Sequence, residues 1–237
     1  MFTRQDALDL DAKDPLAKYR DSFIFTDPDV CYLDGNSLGR LPKSTVETIN
    51  KFLIEGWGTK IVDGWGEWID KAETTGDLIG RSALGATAGQ TLAMDTTSVN
   101  FYRLVRAAIS ARPGRKTIIT DEANFPTDRY IMQGIAEELG LNLVVIPNDL
   151  QEHSTGDTFS DELVTPEILK PYLNDDVALV TISVVAYRSG ALHNIKELTD
   201  LVRASGALMV WDASHAVGAV DMQFDRDGVD LAVGCTY

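Results

Sequence analysis

From residue 116 onward, short apolar runs alternate with stretches whose apolar positions recur at helical spacing. The runs at 117–120, 142–146, 177–185, 207–211 and 231–233 read as strands, and 128–139, 166–173 and 195–204 as helices. Strands separated by helices of this length predict βαβ units, and so an α/β fold with a mostly parallel sheet and helices on both faces. The residues between 149 and 165 are polar and read as a loop. Upstream, a short helix is expected around 6–19. A second follows Pro42, which sits near its first turn, and runs to Glu55 with Val46, Ile49, Phe52 and Leu53 on one side. A further helix is expected over 71–84, and another after residue 98, where Phe101, Leu104, Val105, Ala108 and Ile109 repeat at helical spacing. No repeat, low-complexity tract or interdomain linker interrupts the chain.

Polar chemistry gathers where the strands should end. The run at 207–211 is followed by Asp212 and, three residues on, His215. A carboxylate at the carboxyl end of a buried strand lies where α/β sheets put their ligand crevice, although a turn cap and a core imidazole explain this pair equally well. Asp95–Asn100 (DTTSVN) places Thr96, Thr97 and Ser98 at a helix start, where free N–H groups and hydroxyls make an anion site. Capping accounts for one hydroxyl, not three. Asn124-Phe-Pro-Thr-Asp128 follows one strand and Tyr187-Arg-Ser-Gly190 another. Each is compatible with a plain turn, but four such segments in succession belong to one edge of the sheet. Nearer the N-terminus, 34–42 (DGNSLGRLP) is turn chemistry able to approach a ligand or simply to connect. Residues 56–66 carry Trp57 and Trp65 among four glycines, a loop suited to stacking on a planar ligand or packing on a neighbouring subunit.

Composition removes several classes of function. The 237 residues, 44% hydrophobic and 24% charged, suffice for one large domain or slightly more. The net charge of −15 is dispersed and argues against nucleic acid and anionic membranes as partners. No apolar run approaches a membrane span, and the N-terminus lacks an apolar signal core, so a cytoplasmic protein is expected. Cys31 and Cys235, with His153, His193 and His215, show no metal-ligand spacing, so no metal is expected.

The familiar nucleotide and hydrolase cradles, G-x-G-x-x-G, G-x-x-x-x-G-K-[ST] and G-x-S-x-G, are absent. A donor-rich helix start, an aromatic ring at Phe125 and a strand-end carboxylate at Asp212 together fit pyridoxal 5'-phosphate, whose ring nitrogen stays protonated beside a carboxylate. In its ordered motifs LDGNSLGRLP, the tryptophan-glycine stretch, DTTSVN, NFPTD, YRSG, WDASHAVGAV and GCTY, the chain resembles the kynureninase family. That family belongs to the fold-type I, aspartate aminotransferase-like pyridoxal-phosphate enzymes.

The resemblance implies a large domain over 56–237, incomplete at its C-terminus, and an N-terminal segment with part of the small domain over 1–55. It implies that Thr97 and Ser98 contact the phosphate and that Phe125 stacks on the ring within a cofactor-binding run of Phe125, Pro126, Thr127 and Asp128. Ser183 and His215 would line the pocket, and Asp212 would pair with the ring nitrogen. Tyr237 would reach the phosphate and assist proton transfer, while Asn36, Ser37 and Trp65 would contact an amino-acid substrate. The implied reaction is hydrolytic Cβ–Cγ cleavage of L-kynurenine or 3-hydroxykynurenine to anthranilate or 3-hydroxyanthranilate and L-alanine, in a cytoplasmic homodimer. The alternatives are a fold-type I enzyme of aminotransferase or desulfurase type on another amino acid, or a non-catalytic fragment that binds pyridoxal phosphate. In the family a Schiff-base lysine directly follows GCTY, so the resemblance also implies a longer polypeptide than this one. One departure stands out: Ala186 occupies a position where the family carries Asn, Asp or His.

Overall fold

The computed structural model describes residues 2–27, 29–147 and 162–237. By contacts the chain forms two compact units, one comprising 1–69 with Tyr237 and the other 70–236.

The first unit is built from short helical pieces. Helix α1 (Arg4–Asp11) opens with a capping box in which Thr3 and Asp6 satisfy each other's backbone N–H groups. It stops well short of the expected residue 19. Asp14 precedes Pro15, which disfavours helical backbone there, and the chain resumes as a 3-10 turn over Ala17–Ser22. Helix α2 (Lys43–Lys51) has Pro42 at its N-cap rather than in its first turn, and winds on as a π-helix over Phe52–Gly58. The loop expected over 56–66 is largely helical as well: a 3-10 turn at Ile61–Gly64 leads into α3 (Trp65–Trp68). Gly64 is required by packing, since a Cβ there would lie 2.2 Å from the Trp68 ring.

The second unit begins with α4 (Lys71–Ile79), extended by a π turn at Gly80–Leu84, and α5 (Thr97–Ser110). Then come β1 (Thr117–Asp121), α6 (Pro126–Leu139), β2 (Asn142–Ile146), α7 (Pro166–Leu169), β3 (Val177–Ser183), α8 (Ile195–Ala204), β4 (Leu208–Asp212), α9 (Phe224–Asp227) and β5 (Leu231–Val233). The sheet order is β2-β1-β3-β4-β5, and every pairing is parallel. The α/β alternation is as expected, with small shifts: α6 starts two residues earlier at Pro126, and β3 ends at Ser183 instead of 185. The first thirteen residues of the polar stretch 149–165 lie outside the described residues.

Alternation along the strands sends successive side chains to opposite faces. Ile118, Leu179 and Val210 pack with Phe101 and Val105 of α5 and Met132 and Ile135 of α6. Ile119, Val180, Met209 and Trp211 pack with Leu169 of α7, Leu198 and Val202 of α8 and Phe224 of α9. Both faces are therefore covered, and β1 and β3 are buried at every position, β3 being apolar along most of its length. The Trp211 indole N–H, fully buried, donates to Thr199 Oγ1 at 2.9 Å and ties β4 to α8.

Candidate active site

The strand order reverses between β1 and β3: the chain leaves β1 for β2 on one side and returns to β3 on the other. Open α/β sheets bind ligands at such a point, beyond the carboxyl ends of the strands. Here those ends carry Asp121 on β1, Ser183 on β3 and Asp212 on β4, with Ser183 and Asp212 in register across the pairing. All three are buried.

Asp212 is held by its own turn. Ser214 donates to Asp212 Oδ1 twice, from its N–H at 2.8 Å and its hydroxyl at 2.6 Å. This is the local bond expected when Asp stands two residues before a polar donor. Ser183 Oγ lies 3.5 Å from Asp212 Oδ2 and 2.8 Å from Asn124 Oδ1. Asn124 also accepts the Phe125 N–H at 2.8 Å and donates to Thr120 Oγ1 at 2.9 Å. Phe125 precedes α6, and Pro126 and Thr127 form the first turn of that helix. The Phe125 ring meets Tyr187 edge-on at 5.2 Å and lies 6.4 Å from His215.

Asp128, on the first turn of α6, is 3% exposed. Burial pushes its pKa well above the usual carboxylate range, and the adjacent Asp212 pushes the same way. As a carboxylate its Oδ2 meets no donor among the described residues; as a carboxylic acid it becomes the donor to Asp212. Burial and its neighbour thus favour the protonated form of Asp128. Burial likewise raises Asp121 to about 7; Arg129 opposes the shift and the charge of Glu162 adds to it. Glu162 is itself buried, pairs with Arg188 at 2.5 Å and accepts the Ser189 N–H at 3.2 Å, holding the turn that presents Tyr187.

Helix α5 begins at the same sheet edge. Thr96 caps it by accepting the Val99 N–H at 3.3 Å, and Thr97 donates to the carbonyl of Gly234, just past β5, at 3.3 Å. Ser98 is half-buried beside it. Thus Thr97, Ser98, Phe125, Pro126, Thr127, Asp128, Ser183, Asp212 and His215 all fall at or just beyond the carboxyl ends of the strands. The remaining expected residues belong to the other unit. Ser37 bonds Asp34 Oδ1 at 2.8 Å within an exposed turn that includes Asn36, Trp65 starts α3 with its ring 6.1 Å from Trp68, and Tyr237 is half-exposed. Of the other histidines, His193 is buried, its pKa lowered by that burial, and its Nε2 accepts the Val164 N–H at 3.0 Å. His153 lies outside the described residues.

Four participants escape sequence reasoning. Asp121 closes an apolar strand and reads as its polar end. Asn124 reads as turn chemistry, and Glu162 sits at the end of a polar stretch without a pattern. Ser214 alone carried a usable signal, the Asp-x-Ser spacing of a side-chain-to-backbone turn.

A class-V aminotransferase family model matches residues 31–235. The chain is 35% identical over its whole length to the kynureninases of Pseudomonas fluorescens and Burkholderia pseudomallei. It spans 54% of the length of each of these curated relatives. Among solved structures, the apo cysteine desulfurase of Thermococcus onnurineus superimposes with a TM-score of 0.72 at 19% identity, over 92% of this chain and 52% of that one. A NifS-like protein gives 0.69 at 17% identity, over 84% and 52%. At such identities the structural likeness concerns the fold. This chain belongs to the class-V aminotransferase family, as a kynureninase-like member of the fold-type I pyridoxal-phosphate enzymes.

Proposed function

We propose that the full-length protein is a kynureninase, a hydrolase of the kynurenine pathway of tryptophan catabolism. It would cleave L-kynurenine or 3-hydroxykynurenine to L-alanine and the corresponding anthranilate. The observation that carries this reading is the buried strand-end carboxylate of Asp212, one oxygen filled by Ser214 and the group adjacent to Asp128, in a chain similar to kynureninases along its whole length.

The residues present fit pyridoxal phosphate. Two adjacent buried carboxyls, with Asp128 Oδ2 lacking a donor among the described residues, suit a protonated ring nitrogen, which supplies a donor. The half-exposed Phe125 ring offers a face for stacking, and the start of α5 offers hydroxyls and unfilled N–H groups for a phosphate. Bound there, pyridoxal phosphate supplies an electron sink for the pair left when a bond at the substrate's α-carbon breaks. Asp212 holds the proton on the ring nitrogen, with Ser214 fixing the carboxylate's direction. Asp128 stores or returns a proton beside it. Phe125 orients the ring and excludes water from one face, Pro126 and Thr127 fix that edge, and Ser183 and His215 line the pocket. Thr97, Ser98 and Tyr237 bind the phosphate, Tyr237 also moving a proton during cleavage. Asn36, Ser37 and Trp65 bind the amino-acid substrate. The same reading makes the protein a cytoplasmic homodimer, with 1–55 contributing to a small domain and 56–237 to the large one.

The test is the full-length protein loaded with pyridoxal phosphate and given L-kynurenine. Fluorescent anthranilate should appear in step with L-alanine. Loaded protein that releases no anthranilate from either kynurenine, yet turns over another β-carbonyl amino acid, overturns the substrate assignment and keeps the fold.

A further inference from the structure

We infer that Asn124 is a positioning residue: it turns the Ser183 hydroxyl away from Asp212 and so keeps one oxygen of that carboxylate open for the cofactor's ring nitrogen. This rests on the cofactor reading above. The two ends of the Asn124 amide are told apart by their partners. Asn124 Oδ1 lies 2.8 Å from the Phe125 N–H, a group that can only donate, so that atom is the amide oxygen. An amide oxygen can only accept. The 2.8 Å contact between it and Ser183 Oγ therefore places the single Ser183 hydroxyl proton on the Asn124 side. Ser183 then has no proton left for Asp212 Oδ2, 3.5 Å away, a distance already too long for a good O–H···O bond.

The other end of the amide locks this arrangement. Asn124 Nδ2 donates to Thr120 Oγ1 at 2.9 Å, and rotating the side chain would forfeit that bond together with the one to Phe125. Thr120, Asn124, Ser183 and Asp212 are all buried, so no bulk water competes for these protons. Meanwhile Ser214 places both of its donors on Oδ1. Of the two oxygens of Asp212, one is filled by its own turn and the other is shielded from its nearest hydroxyl. What remains is an acceptor that Ser183 does not fill, one that the Asp128 proton can meet in the ligand-free protein and that the ring nitrogen's proton meets when the cofactor is bound.

Removing Asn124 should free the Ser183 hydroxyl to swing onto Asp212 Oδ2 and compete with the ring nitrogen. In the full-length chain, stripped of cofactor and titrated with pyridoxal phosphate, Asn124→Ala should raise the dissociation constant about tenfold, the equivalent of one charge-assisted hydrogen bond. Asn124→Asp should recover most of that loss. A buried, protonated aspartic acid repeats the amide's pattern, with one oxygen accepting from Phe125 and Ser183 and the other donating to Thr120. Adding Ser183→Ala to Asn124→Ala should also recover affinity, because the competing hydroxyl is gone.

A purely structural role predicts the opposite, two losses that add. An Asn124→Ala constant within twofold of the parent, additive losses in the double variant, or an Asn124→Asp variant as weak as Asn124→Ala each overturns the inference. Should Asn124→Ala fail to fold, Thr120→Val tests the same relay by removing the amide's anchor. It should weaken binding two- to threefold, and the loss should vanish in a Ser183→Ala background; a loss that persists there overturns the inference. A parent protein that does not bind pyridoxal phosphate at all would instead overturn the cofactor reading itself.

Discussion

The most consequential residues of this chain are carboxyls that burial prevents from ionising normally. Burial, with Asp212 adjacent, raises Asp128 to about 8, and burial raises Asp121 at the end of β1 to about 7. The sign of the resulting pH dependence follows from linkage. An acid whose pKa is higher folded than unfolded keeps its proton in the fold after the unfolded chain has lost it, so stability falls as pH rises through that interval. For the ligand-free protein this loss runs from the ordinary carboxylate range near 4 up past neutrality. Asp128→Asn keeps the shape and removes the share that belongs to Asp128. It should flatten the fall between pH 5 and pH 8 and raise the melting temperature at pH 8 by about 2–4 °C or more, the shift that about 1 kcal/mol produces in a domain of this size. Thermal melts of ligand-free protein at the two pH values decide it. A variant that loses more stability at pH 8 than at pH 5 would mean that the ionised Asp128 stabilises the fold.

At the scale of elements, α4 shows why a glycine can matter without any unusual backbone angle. Gly76 is buried in mid-helix, where its propensity is poor, and the reason is a crossing strand of backbone: a Cβ there would lie 2.0 Å from the Thr91 carbonyl oxygen. Gly80, one turn on, faces Thr91 Oγ1 at 2.7 Å in the same way. Gly76→Ala should therefore cost about 2 kcal/mol or more despite the better helix former, because the obstacle is main chain and cannot rotate aside. Chemical denaturation of Gly76→Ala against the parent measures it, and a gain in stability would show that 91–92 moves freely away from α4. Nothing in the sequence announces this contact. What was legible there are elements whose own pattern decides their state: β2, α8 and β5 have the expected bounds because each is an apolar or amphipathic run closed by turn residues. Four glycines make 56–66 read as a loop, yet glycine is also tolerated in π and 3-10 turns, and Gly64 is there to admit the Trp68 ring. Asn124 was illegible as a functional residue for a related reason. Its side chain acts on Ser183, 59 residues away, and only the pairing of β1 with β3 brings the two together.

At the scale of the molecule, the two compact units differ in what holds them together. Both hydrophobic clusters are made of residues from Leu84 onward, and in 2–69 the only buried residue among those described is Gly64. Large apolar side chains remain uncovered in that unit, among them Ile54, Trp57, Ile61, Val62 and Trp65, each more than 60% exposed. Exposed apolar surface on this scale marks a binding face, which accords with the proposed homodimer and with relatives nearly twice as long. Neither hydrophobic cluster of the sheet unit contains a residue of 2–69. Local opening is governed by buried apolar contacts, so opening should cost far less free energy in 2–69 than in the strands. Brief digestion of the 237-residue chain with a broad-specificity protease should then cut first within 2–69. It should leave a resistant fragment that begins near Asp70 and retains the parallel sheet by circular dichroism. Hydrogen exchange gives the same ranking independently, with the amides of β1, β3 and β4 protected longest and those of α1 and α2 exchanging first. Cleavage that begins in β3 or α8 while 2–69 stays intact would mean that the stability of the sheet depends on the first unit after all.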